Sequence, residues 1–430
     1  MDPVDLEAAT LRTGNRSLTV AAVNPTGRYT GNVTGNTGFY RHPREFEPLL
    51  PERRRLELTE RSAEVTKRSL ALTAVAHPAT LASLAGLLKE MNSYYSNRIE
   101  GQSTHPLDIA LALRADYSGS AATARLQRVA VAHIQAEKTL EGLDSATALR
   151  MDFLCRAHSE FYSRMPEEDR LTHRGARIVP GEFRTQRVVV GHHVPPEADC
   201  IEGFACRFDE VYAKVARLDE TLLVVAAAHH RASWIHPFQD GNGRAVRLQT
   251  HCALFPLTRG LWSVSRGLAR NRDAYYRFLA EADASRAGDL DGRGNLSDAG
   301  LARWCEWFIE LCGDQVDFMT GLLDLDGVHR RIRALITLRA ADDTRYRTET
   351  VLSLFHLFVA GPSPRSEFLR MTGLGERTAR AALAHLLRVG LVTSPDHRGP
   401  VRIAFPLDSL QILFPDLYPE AASAYPSSPP

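Results

Sequence analysis

The chain has 430 residues, which is longer than one typical domain, so we expect two or three packed units. Its 52 basic and 51 acidic side chains nearly cancel, which argues against recognition of nucleic acid or anionic membranes through bulk charge. No stretch approaches the roughly 20 apolar residues of a membrane span, and residues 1–5 lack the charge pattern of an export signal. We therefore expect a cytoplasmic protein with no membrane partner.

The first 325 residues divide into two predicted parts. Residues 1–50 are rich in Gly, Asn, Thr and Pro, which predicts an irregular N-terminal arm with a short strand at 18–23. Residues 51–325 show a helical period, so the fold class is mainly α, a helical body. The segment 181–194 is an exception, because its β-branched residues 188–190 are bounded by glycine and proline. It predicts a small β-hairpin flap beside the core.

Residues 326–415 are predicted to form a C-terminal winged helix-turn-helix domain. A short helix at 365–371, a glycine turn at 372–375 and a longer helix at 376–389 give the helix-turn-helix pattern. Strands at 391–393 and 401–405 would form the wing. Residues 416–430 are predicted to be a disordered tail, because Ala, Ser and Pro dominate their end.

The most informative segment lies between two helices of the body. A helix over 221–234 is predicted to end near His236, because the proline that follows disfavours helical geometry at the residue before it. A second helix is predicted to begin at Arg244. The loop 240–243 between them has two glycines flanking Asn242, which let successive backbone N–H groups turn toward one point. These features together predict an anion-binding nest at the start of the second helix.

Charged side chains around this nest indicate what it binds. Arg244 and Arg247 share a face of the first helical turn, where their charge opposes the helix dipole unless an anion is present. Asp240 offers a carboxylate to a magnesium ion that bridges phosphate oxygens. His236 has an ordinary pKa of about 6.5 and can accept a proton near neutral pH. Caps, turns and solvated arginines would explain each feature separately, but their concentration within twelve residues favours transfer from a magnesium-bound polyphosphate to a hydroxyl.

The run from His236 to Arg247 resembles the signature of the Fic family, and every fixed position of that signature is present. The resemblance implies a Fic-type bundle in which His236 deprotonates a target hydroxyl and Asp240 holds Mg²⁺. It implies that ATP is the substrate. It further implies a set of phosphate-binding residues: Gly241, Asn242 and Gly243 in the cradle, with Arg244 and Arg247 as clamps.

The resemblance also indicates which branch of the family is closest. In the phosphotransferring branch a lysine replaces the residue that matches Gly243, and the second arginine is missing. This chain keeps Gly243 and Arg247, so it resembles the AMP-transferring branch. The implied activity is that of a protein adenylyltransferase, which moves AMP from ATP to a Ser, Thr or Tyr hydroxyl of a target protein or of the enzyme itself.

Residues 96–101 resemble the inhibitory motif of the same family, which has Ser or Thr, three residues, then Glu-Gly. Ser96, Glu100 and Gly101 occupy its fixed positions near the end of a helix predicted around 93–101. An ordinary helix end at Gly101 is the alternative interpretation. The resemblance implies that Glu100 pairs with Arg247 and keeps that arginine from the γ-phosphate, so that the enzyme is autoinhibited.

Two further segments resemble family elements more loosely. Residues 181–190 resemble the flap that holds the target chain as an added strand, which implies target contacts at Arg187, Val188, Val189 and Val190. Three residues resemble the stretch beside the nucleotide, namely Asn271, Tyr275 and Tyr276. Residues 282–296 resemble an insertion, which departs from the family pattern and leaves the adenine side of the pocket open to question.

The sequence leaves two other functions open. A regulator could bind DNA through the C-terminal domain and use the Fic-like body to sense nucleotide, since Arg377, Arg380 and Arg388 share the recognition helix and Arg398 tips the wing. That domain could equally dock on protein. An enzyme that removes AMP from a modified protein would use the same site with Glu100 assisting water. The target, the signal that relieves inhibition and a homodimeric state stay undetermined.

Overall fold

The computed structural model describes residues 10–13, 16–19, 40–172, 174–191, 193–214 and 217–418. These residues are mainly helical, as the sequence predicts. Their helices are α1 (Arg55–Leu72), α2 (Pro78–Ile99), α3 (Pro106–Ala112), α4 (Ala121–Leu140), α5 (Met151–Tyr162), α6 (Ile201–Tyr212), α7 (Thr221–Ile235), α8 (Asn242–Thr258), α9 (Val264–Arg270), α10 (Arg272–Asp283), α11 (Asp298–Leu323), α12 (Leu325–Asp342), α13 (Val351–Ala360), α14 (Arg365–Met371), α15 (Glu376–Arg388) and α16 (Leu410–Leu413). None of these helices has the length and apolar composition needed to span a bilayer.

Helix α7 lies at the centre of the body. It is buried along almost its whole length because apolar residues cover every side of it, a pattern typical of a core helix. Helices α1, α6, α8, α10 and α11 pack around it. Trp304 of α11 is fully buried and donates from Nε1 to the backbone oxygen of Ala226 at 2.7 Å. This packing fixes α7 in the core, and the C-terminal end of α7 leads directly into His236.

Helix α2 brings the motif at 96–101 to the start of α8. It packs against α4, α8 and α9 through an apolar face that includes Leu84, Leu88 and Met91. The helix ends at Ile99, and Gly101 adopts a φ of 75°, a left-handed conformation that glycine tolerates at a helix end. Glu100 is therefore held at the C-terminus of a well-packed helix.

The flap does not form the predicted β-hairpin. Among the described residues of this segment, the backbone pairing is one isolated antiparallel bridge between Val190 and His193, with two N–H···O bonds of 3.0 Å. Two consecutive prolines, Pro195 and Pro196, follow the bridge, and proline has no N–H to continue a ladder. The flap is consequently an irregular loop that lies beside the loop after α7.

The C-terminal helices and strands match their predicted positions closely. Helix α14 occupies the predicted range, and α15 ends one residue earlier than expected. Strands β3 (Val392–Thr393) and β4 (Arg402–Ile403) pair antiparallel, with Val392 opposite Ile403, and a bridge between Ser363 and Val401 extends this pairing. Helix α12 begins at the predicted boundary and packs on α13 and α16. A helix pair followed by a small hairpin thus occupies residues 365–403.

This C-terminal unit contacts both ends of α2. At the N-terminal end, the His77 amide donates to Val359 O at 3.2 Å and the Thr80 hydroxyl donates to Leu357 O at 3.3 Å. At the other end, the Tyr95 hydroxyl donates to Leu417 O at 3.2 Å. The same helix therefore carries Glu100 and supports the C-terminal unit.

The two termini differ from their predictions where the structure describes them. Strands β1 (Thr10–Thr13) and β2 (Arg16–Thr19) form an antiparallel hairpin, whereas one strand was expected at 18–23, and residues 20–23 lie outside the described ranges. Leu417 and Tyr418 belong to the predicted disordered tail but are buried, because they pack against the tyrosines of α2. The rest of that tail, 419–430, lies outside the described residues.

Replacing Trp304 with alanine should lower the free energy of unfolding by about 3–5 kcal/mol, because a fully buried indole leaves a cavity beside α7. Urea unfolding followed by circular dichroism measures the loss. Leu290 is 79% exposed and provides the control, since Leu290→Ala should change stability by no more than about 0.5 kcal/mol. Equal unfolding midpoints for the two variants would contradict the central position of α7.

Candidate active site

The loop between α7 and α8 has the helix–loop–helix arrangement that the sequence predicts. His236 ends α7 with φ 49° and ψ 58°, a left-handed conformation that is uncommon for a residue with a side chain. Gly241 has φ 77° and forms the N-cap of α8. Helix α8 starts at Asn242, two residues before the predicted start at Arg244, because the turn is completed at Gly241. The proton acceptor and the nest therefore lie at the two ends of one short connection.

Asn242 fixes the shape of this loop through its side chain. Its Oδ1 accepts from the Phe238 amide at 2.8 Å, and its Nδ2 donates to Phe238 O at 2.8 Å. Phe238 is fully buried, so it anchors the loop in the core. The amide side chain of Asn242 is thus committed to the loop itself, so any contact with phosphate would come from its backbone N–H.

His158 of α5 packs against the loop, and the sequence did not predict this role. Its ring stacks on Phe238 with centroids 4.0 Å apart. Burial lowers the pKa of His158 to about 4, so the ring is neutral at pH 7. Nδ1 accepts from the Gly181 amide at 2.8 Å, which leaves Nε2 as the donor to Asp240 O at 3.0 Å. His158 therefore joins the flap to the catalytic loop.

His236 is partly buried, and its imidazole is neutral in this structure. Desolvation by the surrounding protein is the largest cause that lowers its pKa to about 3, and the charges of Arg184 and His193 lower it further. A hydrogen bond with the Ser233 backbone and the charge of Glu100 act in the opposite direction. The ordinary pKa of about 6.5 assumed from the sequence is consequently too high for this partly buried ring. The imidazole is available to accept a proton across the whole neutral range.

The nest is too narrow for any side chain at its two glycines. A Cβ at Gly241 would lie 2.6 Å from the hydroxyl oxygen of Tyr162. A Cβ at Gly243 would overlap the carboxylate of Glu100 and would lie 2.9 Å from Nη1 of Arg247. Since real Cβ atoms do not approach neighbours this closely, Gly241 requires glycine, and a side chain at Gly243 would force the ends of the Glu100 and Arg247 side chains to move. The carboxylate of Glu100 therefore lies directly against the nest.

Arg244 is buried beside the nest with one donor unused. Its guanidinium lies 4.8 Å from the ring centroid of Phe161. Nη1 donates to Gln102 Oε1 at 2.9 Å and Nη2 donates to the Tyr162 hydroxyl at 3.1 Å. Nε is buried and has no hydrogen-bond partner among the described residues. An unpartnered donor on a buried cation fits the binding of an anionic group, because leaving such a donor unpaired costs about 1–3 kcal/mol.

Arg247 is bound by the two ends of the motif at 96–101. Its Nη2 donates to Glu100 Oε1 at 2.6 Å and to Ser96 O at 3.0 Å. Its Nε donates to the Ser96 hydroxyl at 3.0 Å. Burial by itself would raise the pKa of Glu100, but Arg247 and Arg244 outweigh it and hold that pKa below its ordinary value. Glu100 is therefore ionised at neutral pH and keeps the pair with Arg247 intact.

Asp240 is the carboxylate available for a divalent cation. About a third of its side chain is exposed, at 35%, and Oδ1 accepts from the Gly241 amide at 2.5 Å. Arg244 Nη2 lies 3.5 Å from the same oxygen. A partly exposed carboxylate at the open side of a phosphate nest has the hard oxygen donors that Mg²⁺ prefers, so the residues fit this ion.

The flap lies beside the loop through one buried residue, Arg184. Its backbone N–H donates to Pro237 O at 2.8 Å, and its Nε donates to His236 O at 2.9 Å. The residues expected to contact a target, Val188–Val190, are half-exposed, and Arg187 forms an ion pair with Glu197. Within the described ranges, positions 188 and 189 belong to no strand or bridge, so this stretch is available to pair with an added segment.

The three residues expected beside the nucleotide have different surroundings. Tyr275 is buried, and its hydroxyl lies 3.0 Å from Nε2 of His229, so its main contacts are in the core. The Tyr276 hydroxyl donates to Ile99 O at 3.4 Å, which places this ring next to the end of α2. Asn271 is exposed and caps α9 by donating from Nδ2 to Gly267 O at 3.0 Å. Both tyrosines lie close enough to Glu100 and Arg247 for these charges to act on the pKa of their hydroxyls.

Another polar cluster lies behind the nest, between α2, α4 and α8. Glu137, Glu141 and His251 form the group of metal-ligand residue types found among the described residues. His251 Nε2 lies 2.9 Å from Glu141 Oε1, and Lys89 forms an ion pair with Glu141. Lys89 and His251 pair with Glu141, whereas burial raises the pKa of Glu137 to about 7 and Asn92 donates to it at 2.7 Å, so the cluster is a network of ion pairs and hydrogen bonds that joins α2 to its neighbours.

Part of the chain is similar in sequence to known proteins. Residues 148–254 match the Fic/DOC family, so the chain contains a Fic domain. That segment includes the flap and the loop 236–247 but not the motif at 96–101. The protein adenylyltransferase Fic of Aedes aegypti is 42% identical over 107 residues, which cover 25% of this chain and 21% of that protein. The same-named protein of Culex quinquefasciatus is 41% identical over 104 residues, covering 24% and 20%. The matched part of the chain spans about a fifth of these relatives.

Solved structures of Fic proteins also resemble the chain. A Fic family protein from Desulfovibrio desulfuricans G20 gives a TM-score of 0.46 at 17% identity, and the alignment covers 85% of this chain and 99% of that one. Fic-1 from C. elegans, residues 134–508, gives a TM-score of 0.45 at 14% identity over 62% of this chain and 72% of that one.

Replacing Gly243 with alanine should destabilise the protein, because the new Cβ would collide with Glu100 and crowd Arg247. We expect a loss of about 1–3 kcal/mol, the usual cost of overpacking. Thermal unfolding measures it. Gly86→Ala on α2 is the matched control, since a Cβ there meets nothing within 4 Å and should stabilise the helix by about 0.5–1 kcal/mol. A Gly243→Ala protein as stable as wild type would show that the nest is wider than described.

Proposed function

We propose that the protein is an adenylyltransferase that transfers AMP from ATP to a hydroxyl of a target protein and that Glu100 inhibits it. The observation that carries this proposal is the loop between α7 and α8. A neutral histidine ends one helix, and a glycine-lined nest with a buried, incompletely paired arginine begins the next. The names of the relatives that match residues 148–254 support the same activity.

The reaction assigns one task to each end of the loop. His236 accepts the proton of the target hydroxyl, whose oxygen forms a bond to the α-phosphorus of ATP. The bond between that phosphorus and the bridging oxygen to the β-phosphate breaks, and pyrophosphate leaves. Backbone N–H groups at 241–243 and the guanidinium of Arg244 stabilise the charge on the phosphate oxygens. Bound triphosphate also places negative charge near His236, which raises the pKa of the imidazole and makes it a stronger base.

Asp240 would hold Mg²⁺ in this reaction. When bound, the ion would neutralise part of the triphosphate charge and orient the phosphate chain. Tyr162 and Arg244 flank the carboxylate and limit its rotation, because the Tyr162 hydroxyl donates to Oδ1 at 3.4 Å.

Inhibition follows from the position of Glu100. Its carboxylate occupies the space beside Gly243 and bonds Arg247, which is the cation that a γ-phosphate would need. An ionised carboxylate at this point also repels the phosphate chain. ATP can then bind only in a pose that does not present its α-phosphate to an incoming hydroxyl. Removal of the Glu100 side chain is therefore expected to free Arg247 for the nucleotide.

The flap provides a surface for a protein target. Positions 188 and 189 lie outside every strand and bridge of the described chain, so an extended segment could add to this edge through main-chain hydrogen bonds. Such pairing depends little on the sequence of the added segment. The half-exposed valines 188–190 would contact alternate side chains of that segment.

Transfer can be tested with ATP labelled on either the α- or the γ-phosphate. Glu100→Gly should incorporate α-label into protein about tenfold or more above wild type, since it releases Arg247. His236→Ala added to this variant should abolish incorporation. Glu90→Gln alters another acid of α2 that does not contact Arg247 and should behave as wild type.

Three results would contradict parts of the proposal. Incorporation of γ-label would exclude AMP transfer. Equal labelling by wild type and Glu100→Gly would exclude inhibition by Glu100. Faster release of AMP from a modified protein by wild type than by Glu100→Gly would instead support AMP removal as the physiological reaction.

The C-terminal unit is proposed to be a winged helix-turn-helix domain. Helix α15 turns Leu383 and Leu386 into the core. Its solvent face carries arginines separated by small side chains, which would allow close approach to a groove; these exposed residues are Arg377, Thr378, Arg380, Ala381, Ala384 and Arg388.

Binding of duplex DNA by this face is measurable by gel shift at low salt. If α15 contacts phosphates, Arg377→Glu with Arg388→Glu should weaken binding to all sequences and reduce the salt slope by about 1 for each phosphate that is no longer neutralised. Arg330→Glu with Arg333→Glu, which changes two exposed arginines of α12, is the charge-matched control. Absence of any shift, or equal effects of the two reversals, would assign the domain to protein docking instead.

A further inference from the structure

One charged residue of the flap is buried without an ion-pair partner among the described residues. Arg184 is 3% exposed, and all of its hydrogen bonds go to backbone carbonyl oxygens. Nε donates to His236 at 2.9 Å, Nη1 to Gln186 at 3.1 Å and Nη2 to Pro196 at 2.5 Å. Its own backbone N–H donates to Pro237 at 2.8 Å. The guanidinium of Arg184 therefore joins the loop after α7, at His236, to the flap at Gln186 and at Pro196.

The cost of burying this cation indicates that it has a specific purpose. Burial lowers the pKa of Arg184 to about 10, so the side chain still carries its charge at neutral pH. A buried charge is expensive unless hydrogen bonds compensate it. Here the compensation comes from three backbone carbonyl oxygens, those of His236, Gln186 and Pro196. A leucine or methionine would fill the same volume at lower cost if packing alone were required.

The geometry of His236 explains what the bonds achieve. A left-handed conformation with φ 49° costs free energy for a residue with a side chain, so it persists only where neighbouring contacts enforce it. Arg184 binds the carbonyl oxygen of His236, which belongs to one of the two peptides that flank the His236 Cα, and its backbone N–H binds the carbonyl oxygen of Pro237 in the next peptide. Rotation of either peptide would break one of these bonds.

We propose that Arg184 is a positioning residue for AMP transfer, which holds His236 in its left-handed conformation and at a fixed distance from the target-binding flap. This inference rests on the proposed function. The target hydroxyl is presented by the flap and the base is presented by the loop, so one side chain that bonds both sets their separation. Arg184 itself touches neither ATP nor the target hydroxyl.

Arg184 also acts on His236 through its charge. The charged or titratable groups that affect this imidazole are Arg184 of the flap, His193 of the bridge and Glu100 after α2. Arg184 is the cation with the largest influence among them and opposes protonation of the ring. Methionine at 184 would remove both the bonds and the charge, whereas lysine would keep the charge and lose the forked bonds.

The test uses the active Glu100→Gly protein as the parent. Arg184→Lys and Arg184→Met should each lower kcat by about 100-fold, the usual effect of misplacing a catalytic group, with little change in KM for ATP. Only Arg184→Met should also shift the acid limb of kcat against pH toward higher pH, because the cation near the imidazole is gone.

Arg231→Lys is the matched control. Arg231 is a fully buried arginine of α7 that donates from Nε to the backbone oxygen of Pro48 at 3.0 Å, away from the loop. Arg231→Lys should lower the midpoint of thermal unfolding without a shift of the acid limb of kcat against pH. If Arg231→Lys and Arg184→Met lower kcat by the same factor and neither shifts the acid limb, Arg184 has only a packing role. That result would overturn the proposal.

A second measurement does not depend on activity. Carbon-13 labelled histidine, observed by NMR in the full chain with and without Arg184→Met, reports the titration of His236, assigned by comparison with His236→Gln. A raised pKa in the methionine variant supports the proposal, and an unchanged pKa with an unchanged kcat contradicts it. If Glu100→Gly transfers no AMP, the proposed function fails, and the NMR titration still decides whether Arg184 governs the imidazole.

Discussion

The ion pair between Arg247 and Glu100 is the interaction on which the state of the site depends. It connects the first turns of α8 to the end of α2, two helices that are distant in the sequence, through one short charge-assisted bond of 2.6 Å. Because the carboxylate lies against Gly243, the same contact occupies the nest and pairs the cation that the proposed function assigns to phosphate. In the proposed function, inhibition and substrate binding therefore compete for one guanidinium, and breaking the pair without a replacement would leave a buried charge.

Release of this pair is constrained by what holds α2. Lys89 and Asn92 join the ionic cluster with Glu141 and Glu137, while Tyr95 bonds the backbone of Leu417. Displacing the whole helix would break all of these contacts together. Rotation of the Glu100 side chain breaks only its own bond, so it is the less costly route. The C-terminal unit thus stabilises the arrangement in which Glu100 pairs with Arg247, through the helix it contacts at both ends.

The catalytic loop is built so that its conformation is enforced from several sides. Asn242 closes the loop internally, His158 supports it through Phe238 and Asp240, and Arg184 bonds the two peptides after α7. These contacts fix the backbone that carries the imidazole. The low pKa of His236 keeps its ring neutral in this structure, and the charge of a triphosphate bound as proposed would raise that pKa when a base is required.

The sequence alone determined the features that depend on neighbouring residues: the end of α7 before Pro237, the glycines of the nest and the helix pair at 365–388. Only the tertiary structure decided which distant groups meet there. Arg184 and His158 have no local pattern that distinguishes them from surface arginine or core histidine, so their contacts with the loop could not be predicted. The pKa of His236 and the irregular course of the flap have the same origin, because burial and the pairing of backbone groups are set by neighbours in space.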